Sequence, residues 1–234
     1  MYIYSNGLGK KNTPQPIHNR PPVVIVNTHD TRNPLGISDL EKTLHSAGFD
    51  YQVVKGWHYP GPKPEENYPH ILSGVPDNAR YSATDDSFRQ EVGEAYQWTR
   101  FAGVQIIGIC LGWQILASVF GGEVSKLERP RYHQVSMKGC WLKENGPIHG
   151  YSMHWDYVSR VPECFMVLKY SKDGIPNVAI HREKPIIGFQ PHVEKMDSGR
   201  KCLINALKEP KRYSCPHVEH SYERVALAYA SGHR

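Results

Sequence analysis

The sequence predicts an α/β protein built on a mainly parallel central sheet with helices on both faces. Three observations carry that prediction. Val23-Val24-Ile25-Val26 is a continuous β-branched run, the pattern of a strand buried on both faces. Ile37 to Ala47 then sets Ile37, Leu40, Leu44 and Ala47 at helical spacing, and Gly48 supplies the stop. Tyr51-Gln52-Val53-Val54 returns as a strand, and strand, helix, strand order implies a right-handed parallel crossover.

The remaining elements follow in order. Gly56 to Pro69 reads as a long loop carrying Pro60, Pro62, Pro64 and Pro69. His70 to Ser73 is a short strand, and Ser87 to Phe101 has helical periodicity. Val104 to Ile109 is the most apolar strand, and Leu111 to Phe120 a short apolar helix closed by Gly121-Gly122. From Glu123 to Phe189 short strands are expected, with turns at Asn145-Gly146 and Asp173-Gly174. Ser198 to Leu207 reads as a helix. The predicted organisation is an irregular arm over residues 1–22, one α/β domain over 23–207, and a polar tail over 208–234 with a helix near Val218 to Ala230.

Composition narrows the function classes. The chain has 234 residues, with 28 Lys+Arg against 23 Asp+Glu, a formal charge of +5. The positive charges are scattered, so nucleic-acid binding is not indicated. No run approaches the ~18 apolar residues of a membrane span. Met1 to Lys10 has no apolar stretch, so no secretory leader is expected. Five widely spread cysteines, with no CxxC pair, point to reduced thiols in a cytosol-like compartment rather than a disulfide scaffold or zinc ribbon.

The chemistry concentrates at Gly108-Ile109-Cys110-Leu111-Gly112. A buried strand meets a helix there, with a nucleophile between two glycines, the context of a nucleophile elbow with Cys in place of Ser. Glycine suits the tight turn, where neighbouring side chains would collide. A helix N-terminus favours thiolate over thiol, and the Leu111 N–H points to where an oxyanion would form. The bland alternative is an inert cysteine in a core strand.

A cysteine nucleophile needs a base and a group that holds the base. His192 follows the apolar strand Ile186 to Phe189, which places it at a strand's C-terminal end, where sites of open parallel sheets lie. Glu194, two residues on, reaches the same side if the segment stays extended, and would fix the imidazole tautomer. Pro216-His217-Val218-Glu219 repeats the tetrapeptide Pro191-His192-Val193-Glu194, but no apolar strand precedes it, so strand context favours His192.

Gly108-Ile109-Cys110-Leu111-Gly112-Trp113-Gln114, followed by Phe120-Gly121-Gly122, resembles the nucleophile signature of class I glutamine amidotransferases. Leu72-Ser73-Gly74-Val75-Pro76 resembles that family's oxyanion strand, Gly150 to Val158 its substrate loop around a His, and Gly188 to Glu194 its terminal His-any-Glu box. The blocks come in family order and span Val23 to Leu207.

The resemblance implies a flavodoxin-like three-layer sandwich around a central mainly parallel sheet. It implies Cys110, His192 and Glu194 as the catalytic group, main-chain groups of Leu111 and of Gly74 or Val75 as the oxyanion hole, and Gln114, Met153, His154, Trp155 and Asp156 around the substrate. The chain departs from the pattern at four points. Val75 and Trp155 stand where glycine is usual, Pro191 precedes the His in place of an aromatic, and Val193 follows it in place of proline. Trp155 is expected either to narrow or cover the pocket or to sit as a core aromatic. Trp113 is expected to pack rather than react, and Asp30 to cap the element after the first strand.

The implied activity is hydrolysis of glutamine to glutamate and ammonia through a cysteinyl thioester, with no metal or organic cofactor. With no phosphate-binding loop or second domain in the sequence, the ammonia would pass to a partner synthetase. Two alternatives use the same residues: a γ-glutamyl hydrolase acting on a γ-glutamyl conjugate, and a catalytically dead binding module.

Overall fold

The computed structural model describes residues 22–28, 35–55, 68–74, 104–137 and 146–209. The expectations for the N-terminal arm, Asp30, Val75, the Ser87–Phe101 helix and the tail with His217 fall outside these residues. The described elements are β1 (Val23–Asn27), α1 (Leu35–Ser46), β2 (Tyr51–Lys55), β3 (His70–Leu72), β4 (Ile106–Ile109), α2 (Leu111–Val119), β5 (Glu123–Met137), β6 (Ile148–Arg160), β7 (Phe165–Tyr170), β8 (Pro176–His181), β9 (Ile186–Phe189), a 3-10 turn (Val193–Lys195) and α3 (Asp197–Lys208).

Seven strands form one sheet in the order β2-β1-β3-β4-β9-β8-β7. The first five run parallel, and β8 and β7 continue antiparallel at one edge. Alternation along β1 explains why its apolar run is unbroken. Val23 and Ile25 face a core shared with Ile37, Leu40 and Leu44 of α1 and Leu203 and Ala206 of α3. Val24 and Val26 face the other core, shared with Leu111, Ile115 and Leu116 of α2. Both faces are covered, as a parallel sheet requires, and the three-layer expectation holds.

The stretch after α2 departs from expectation. Instead of short strands, β5 and β6 make a ribbon of 15 and 13 residues that is separate from the main sheet. Its register slips between Lys126↔Asp156 and Arg131↔His154, so residues 127–130 oppose Trp155 alone. Polar residues alternate through β5, and Pro130 interrupts it, which disguised a continuous strand with a wide bulge. The Asp173-Gly174 turn is present, with Gly174 at φ +82°.

His181 closes the β8–β9 corner. Its Nδ1 accepts the backbone N–H groups of Glu183 at 3.0 Å and Lys184 at 3.1 Å. It packs edge-on against Phe120 and Phe165, both at 5.1 Å between ring centroids. Burial, helped by the nearby Lys184 charge, lowers its pKa from 6.5 to about 4. The unfolded chain therefore binds more protons between those two values, and stability falls as pH drops through that window. His181→Asn keeps an acceptor for both N–H groups but cannot ionise. The expected result is a shallower loss of melting temperature between pH 6.5 and 4. An unchanged slope would remove His181 from this account.

Candidate active site

The site is assembled at the C-terminal edge of the sheet by three adjacent strands. β4 delivers Cys110, β9 leads to His192, and β3 leads to Gly74. Because β4 and β9 pair in parallel, their ends stop at the same level. The tie continues past the strands, since the Cys110 N–H donates to the Phe189 carbonyl at 2.7 Å. A long sequence separation thus becomes a neighbour relation through one strand pairing.

Cys110 is the N-cap of α2 and sits at φ 51°, ψ −107°, the one non-glycine with positive φ among the described residues. A residue with a side chain held there stores on the order of 1–3 kcal/mol, which the surrounding structure must hold in place. The turn is held by close packing. A Cβ on Gly112 would run into the Leu72 carbonyl oxygen and lie 2.7 Å from its carbon, so the start of α2 can approach β3 only with glycine there. The first N–H groups of α2, beginning with Leu111, have no intrahelical acceptor.

His192 is 1% exposed. Its backbone pairs with Tyr151 of β6 in both directions, at 2.9 and 3.1 Å. Its Nδ1 donates to Glu194 Oε1 at 2.6 Å, in a pair buried to 1% on both sides. That bond leaves Nε2 as the ring nitrogen that Glu194 does not engage. Burial pulls the His192 pKa down, but the Glu194 carboxylate and Cys110, by charge and by hydrogen bonding, outweigh it and raise it well above the ordinary 6.5. The shift favours the protonated ring at neutral pH.

Glu194 meets His192 by a route other than the extended one expected. Val193–Lys195 is a 3-10 turn with His192 as its N-cap, and the turn folds the carboxylate back onto the ring. Pro191 fits because the backbone bonds here use the N–H groups of Gln190 and His192, to Asn177 and Tyr151. A donor at position 191 is not required, and the proline ring packs where a Cβ on Gly150 would lie 3.0 Å away.

Gly74 closes the third side. Thr28 Oγ1 donates to the Ser73 carbonyl at 2.8 Å and anchors the end of β3. A Cβ on Gly74 would strike His192 Cε1, with Cys110 Cβ at 3.0 Å and His192 Nδ1 at 3.1 Å. Gly74, Cys110 and His192 are thus mutual neighbours.

The expected substrate residues divide. His154, Asp156 and Gln114 are 5%, 5% and 2% exposed, and they lie together. Gln114 Nε2 donates to the Asp156 carbonyl at 2.6 Å. Burial first, then the charges of His192, Arg131 and His133, overcome a backbone hydrogen bond with Asp156 and lower the His154 pKa to about 4, so the ring is neutral. Trp155 is not brought to the site. Alternation along β6 turns it to the opposite face, 41% exposed, with Lys126 Nζ 5.6 Å from its ring centroid. It is neither a core aromatic nor a cover over the pocket, because its neighbours His154 and Asp156 take the inward positions. Trp113 is fully buried and packs on Phe165 at 5.1 Å.

Gln190 carried no expected role. It is fully buried, and its Nε2 lies 3.4 Å from the same Asp156 carbonyl that Gln114 uses. Its place between a strand end and the base was the one available signal.

Comparisons with known proteins bear on the family and the fold. A family model described as glutamine amidotransferase class-I matches residues 38–207. The chain is 31% identical to the glutamine-hydrolysing GMP synthase subunit of Methanothermobacter thermautotrophicus over 179 residues, which covers 74% of this chain and 88% of that protein. It is 36% identical to the protein of the same name from Methanococcus maripaludis over 114 residues, 44% of this chain and 59% of the relative. The match spans about six-tenths of the length of the first curated relatives. In structure, a glutamine amidotransferase from Thermotoga maritima superposes with a TM-score of 0.62 at 16% identity, over 82% of this chain and 99% of that one, a likeness of fold.

Proposed function

The chain belongs to the class I glutamine amidotransferase family, and from that premise we propose that it is a stand-alone glutaminase subunit supplying ammonia to a separate synthetase. The observation that carries the reading is the meeting of a strained Cys110 with the buried His192–Glu194 pair beside Gly74.

In the proposed reaction Cys110 Sγ attacks the side-chain amide carbon of glutamine. The oxyanion is received by the Leu111 N–H at the start of α2 and by main chain at Gly74 or Val75. His192 Nε2 gives its proton to the amide nitrogen, the C–N bond breaks, and ammonia departs, leaving a γ-glutamyl thioester. Water, deprotonated by His192, attacks the thioester, and glutamate leaves as the thiol reforms. Glu194 holds the ring orientation throughout, as the orienting member of such triads does. Neutral His154, with Gln114 and the Asp156 main chain, lines the glutamine side of the cleft. The relatives named as glutamine-hydrolysing GMP synthase subunits support the assignment of the ammonia acceptor to a partner protein.

Incubation of the purified chain with glutamine, and separately with γ-glutamyl conjugates, tests the reading. Ammonia from glutamine is the expected result. Turnover of the conjugates with no turnover of glutamine would replace it with a γ-glutamyl hydrolase. Turnover of neither, with Cys110 no more reactive to alkylation than the other cysteines, would leave a binding module.

A further inference from the structure

We propose that Arg200 is a positioning residue, and that the first turn of α3 is the cradle that aims the His192–Glu194 pair at Cys110. This deepens the glutaminase reading and rests on it.

The Glu194 side chain does not fix its own position. Oε1 holds His192, while Oε2 is buried with no hydrogen-bond partner among the described residues. One bond cannot define the orientation of a carboxylate, so the backbone carrying it must. That backbone is the 3-10 turn Val193–Lys195, three residues long and closed by a Met196 N–H bond to the Val193 carbonyl at 3.3 Å. Turns of this length are weak on their own.

The first turn of α3 supplies what the 3-10 turn lacks. Arg200 Nη1 donates to the Glu194 carbonyl at 3.0 Å, and its Nη2 reaches the Asp197 carboxylate. The guanidinium therefore bridges the catalytic turn and the helix start in one rigid fork. The Arg200 N–H donates to the Met196 carbonyl at 2.8 Å, which locks the link between turn and helix. Ser198 Oγ accepts the His149 N–H at 2.8 Å and ties the same helical turn to β6, the strand that pairs with His192. Gly199 permits the approach, since a Cβ there would strike the Val193 carbonyl oxygen and lie 2.6 Å from that of His149. Three consecutive residues of one helical turn thus touch both chain segments that hold the base. On the other side, Lys195 Nζ bonds Asp39 of α1 at 2.5 Å and leaves the Glu194 carbonyl to Arg200.

Arg200→Met keeps the length of the side chain and removes its donors, Arg200→Lys keeps a charged donor, and Lys201→Met removes an exposed charge from the next position of the same helix. Each is measured for folding by melting temperature, for kcat and KM with glutamine, and for the rate at which iodoacetamide alkylates Cys110, read by peptide mass spectrometry. In R200M, kcat falls roughly 10- to 100-fold and KM moves little, the signature of misplaced groups rather than lost binding. Alkylation of Cys110 slows with it, R200K recovers part of both, and K201M behaves as wild type. Unchanged kcat and alkylation in R200M overturn the proposal. So does a loss that R200K fails to relieve, that K201M reproduces, or that merely follows loss of folded protein. A wild-type chain without glutaminase activity counts against the functional reading instead, and the alkylation rates still decide the role of Arg200.

Discussion

Cys110→Ala abolishes ammonia release from glutamine, with kcat falling by about 10⁵-fold or more, while the folded chain still binds glutamine. The size follows from the chemistry. Without the sulfur there is no thioester, and His192, Glu194 and the oxyanion donors have no covalent step to assist. Members of a nucleophile–base group fail together rather than in proportion, with losses on the order of 10⁶ for the nucleophile in comparable triads. Binding survives because the proposed substrate residues Gln114, His154 and Asp156 belong to α2 and β6, and the Gln114 side chain bonds the Asp156 carbonyl rather than the thiol. Cys110 is 5% exposed, and alanine removes one sulfur atom from that packing, so the fold is expected to persist. Steady-state ammonia assays and calorimetric titration with glutamine check the two halves. Residual turnover within tenfold of wild type would show that another group attacks the amide.

His192→Asn and Glu194→Gln separate the base from its orienter. His192→Asn removes both proton transfers and lowers kcat by roughly 10⁴- to 10⁶-fold. Glu194→Gln leaves an acceptor at hydrogen-bonding distance but removes the charge, and about 10⁴-fold is expected by analogy with loss of the orienting carboxylate in serine triads. The two differ most in pH dependence. Burial alone would depress the His192 pKa, and the Glu194 charge is the first of the effects that raise it. The imidazolium needed to protonate departing ammonia therefore persists to alkaline pH in the wild type and is lost as pH rises through the raised value. In Glu194→Gln that loss begins at lower pH. A pH series of kcat/KM reads the shift, and an alkaline limb that stays in place would mean that Glu194 does not set the protonation of His192.

Much of this was legible in the sequence because it depends on local pattern. The β-branched run at Val23, the helical spacing of Ile37, Leu40 and Leu44, and the glycine-flanked Cys110 all encode their structure within a few residues. His192 was legible because the apolar strand before it fixes which end of the sheet it occupies. What depends on pairing was not. The β5–β6 ribbon is polar on one strand and bulged, so its length appears only once Arg131 and His154 are seen as partners. Trp155 stands in a block that resembles a substrate loop, and only the pleat shows that it faces away from His154 and Asp156. The turn that brings Glu194 onto His192 starts from a residue paired with Tyr151, a contact that no short window contains.

The central claim is that Cys110 takes the γ-glutamyl group covalently. Mixing the enzyme with isotopically labelled glutamine, quenching in acid within a turnover, and mapping the label by peptide mass spectrometry tests it directly. The account predicts a labelled γ-glutamyl adduct on the peptide bearing Cys110, absent in Cys110→Ala and more abundant in variants that slow the water step. Ammonia release with no adduct on Cys110, or with the label on Cys164 or Cys202, would contradict it.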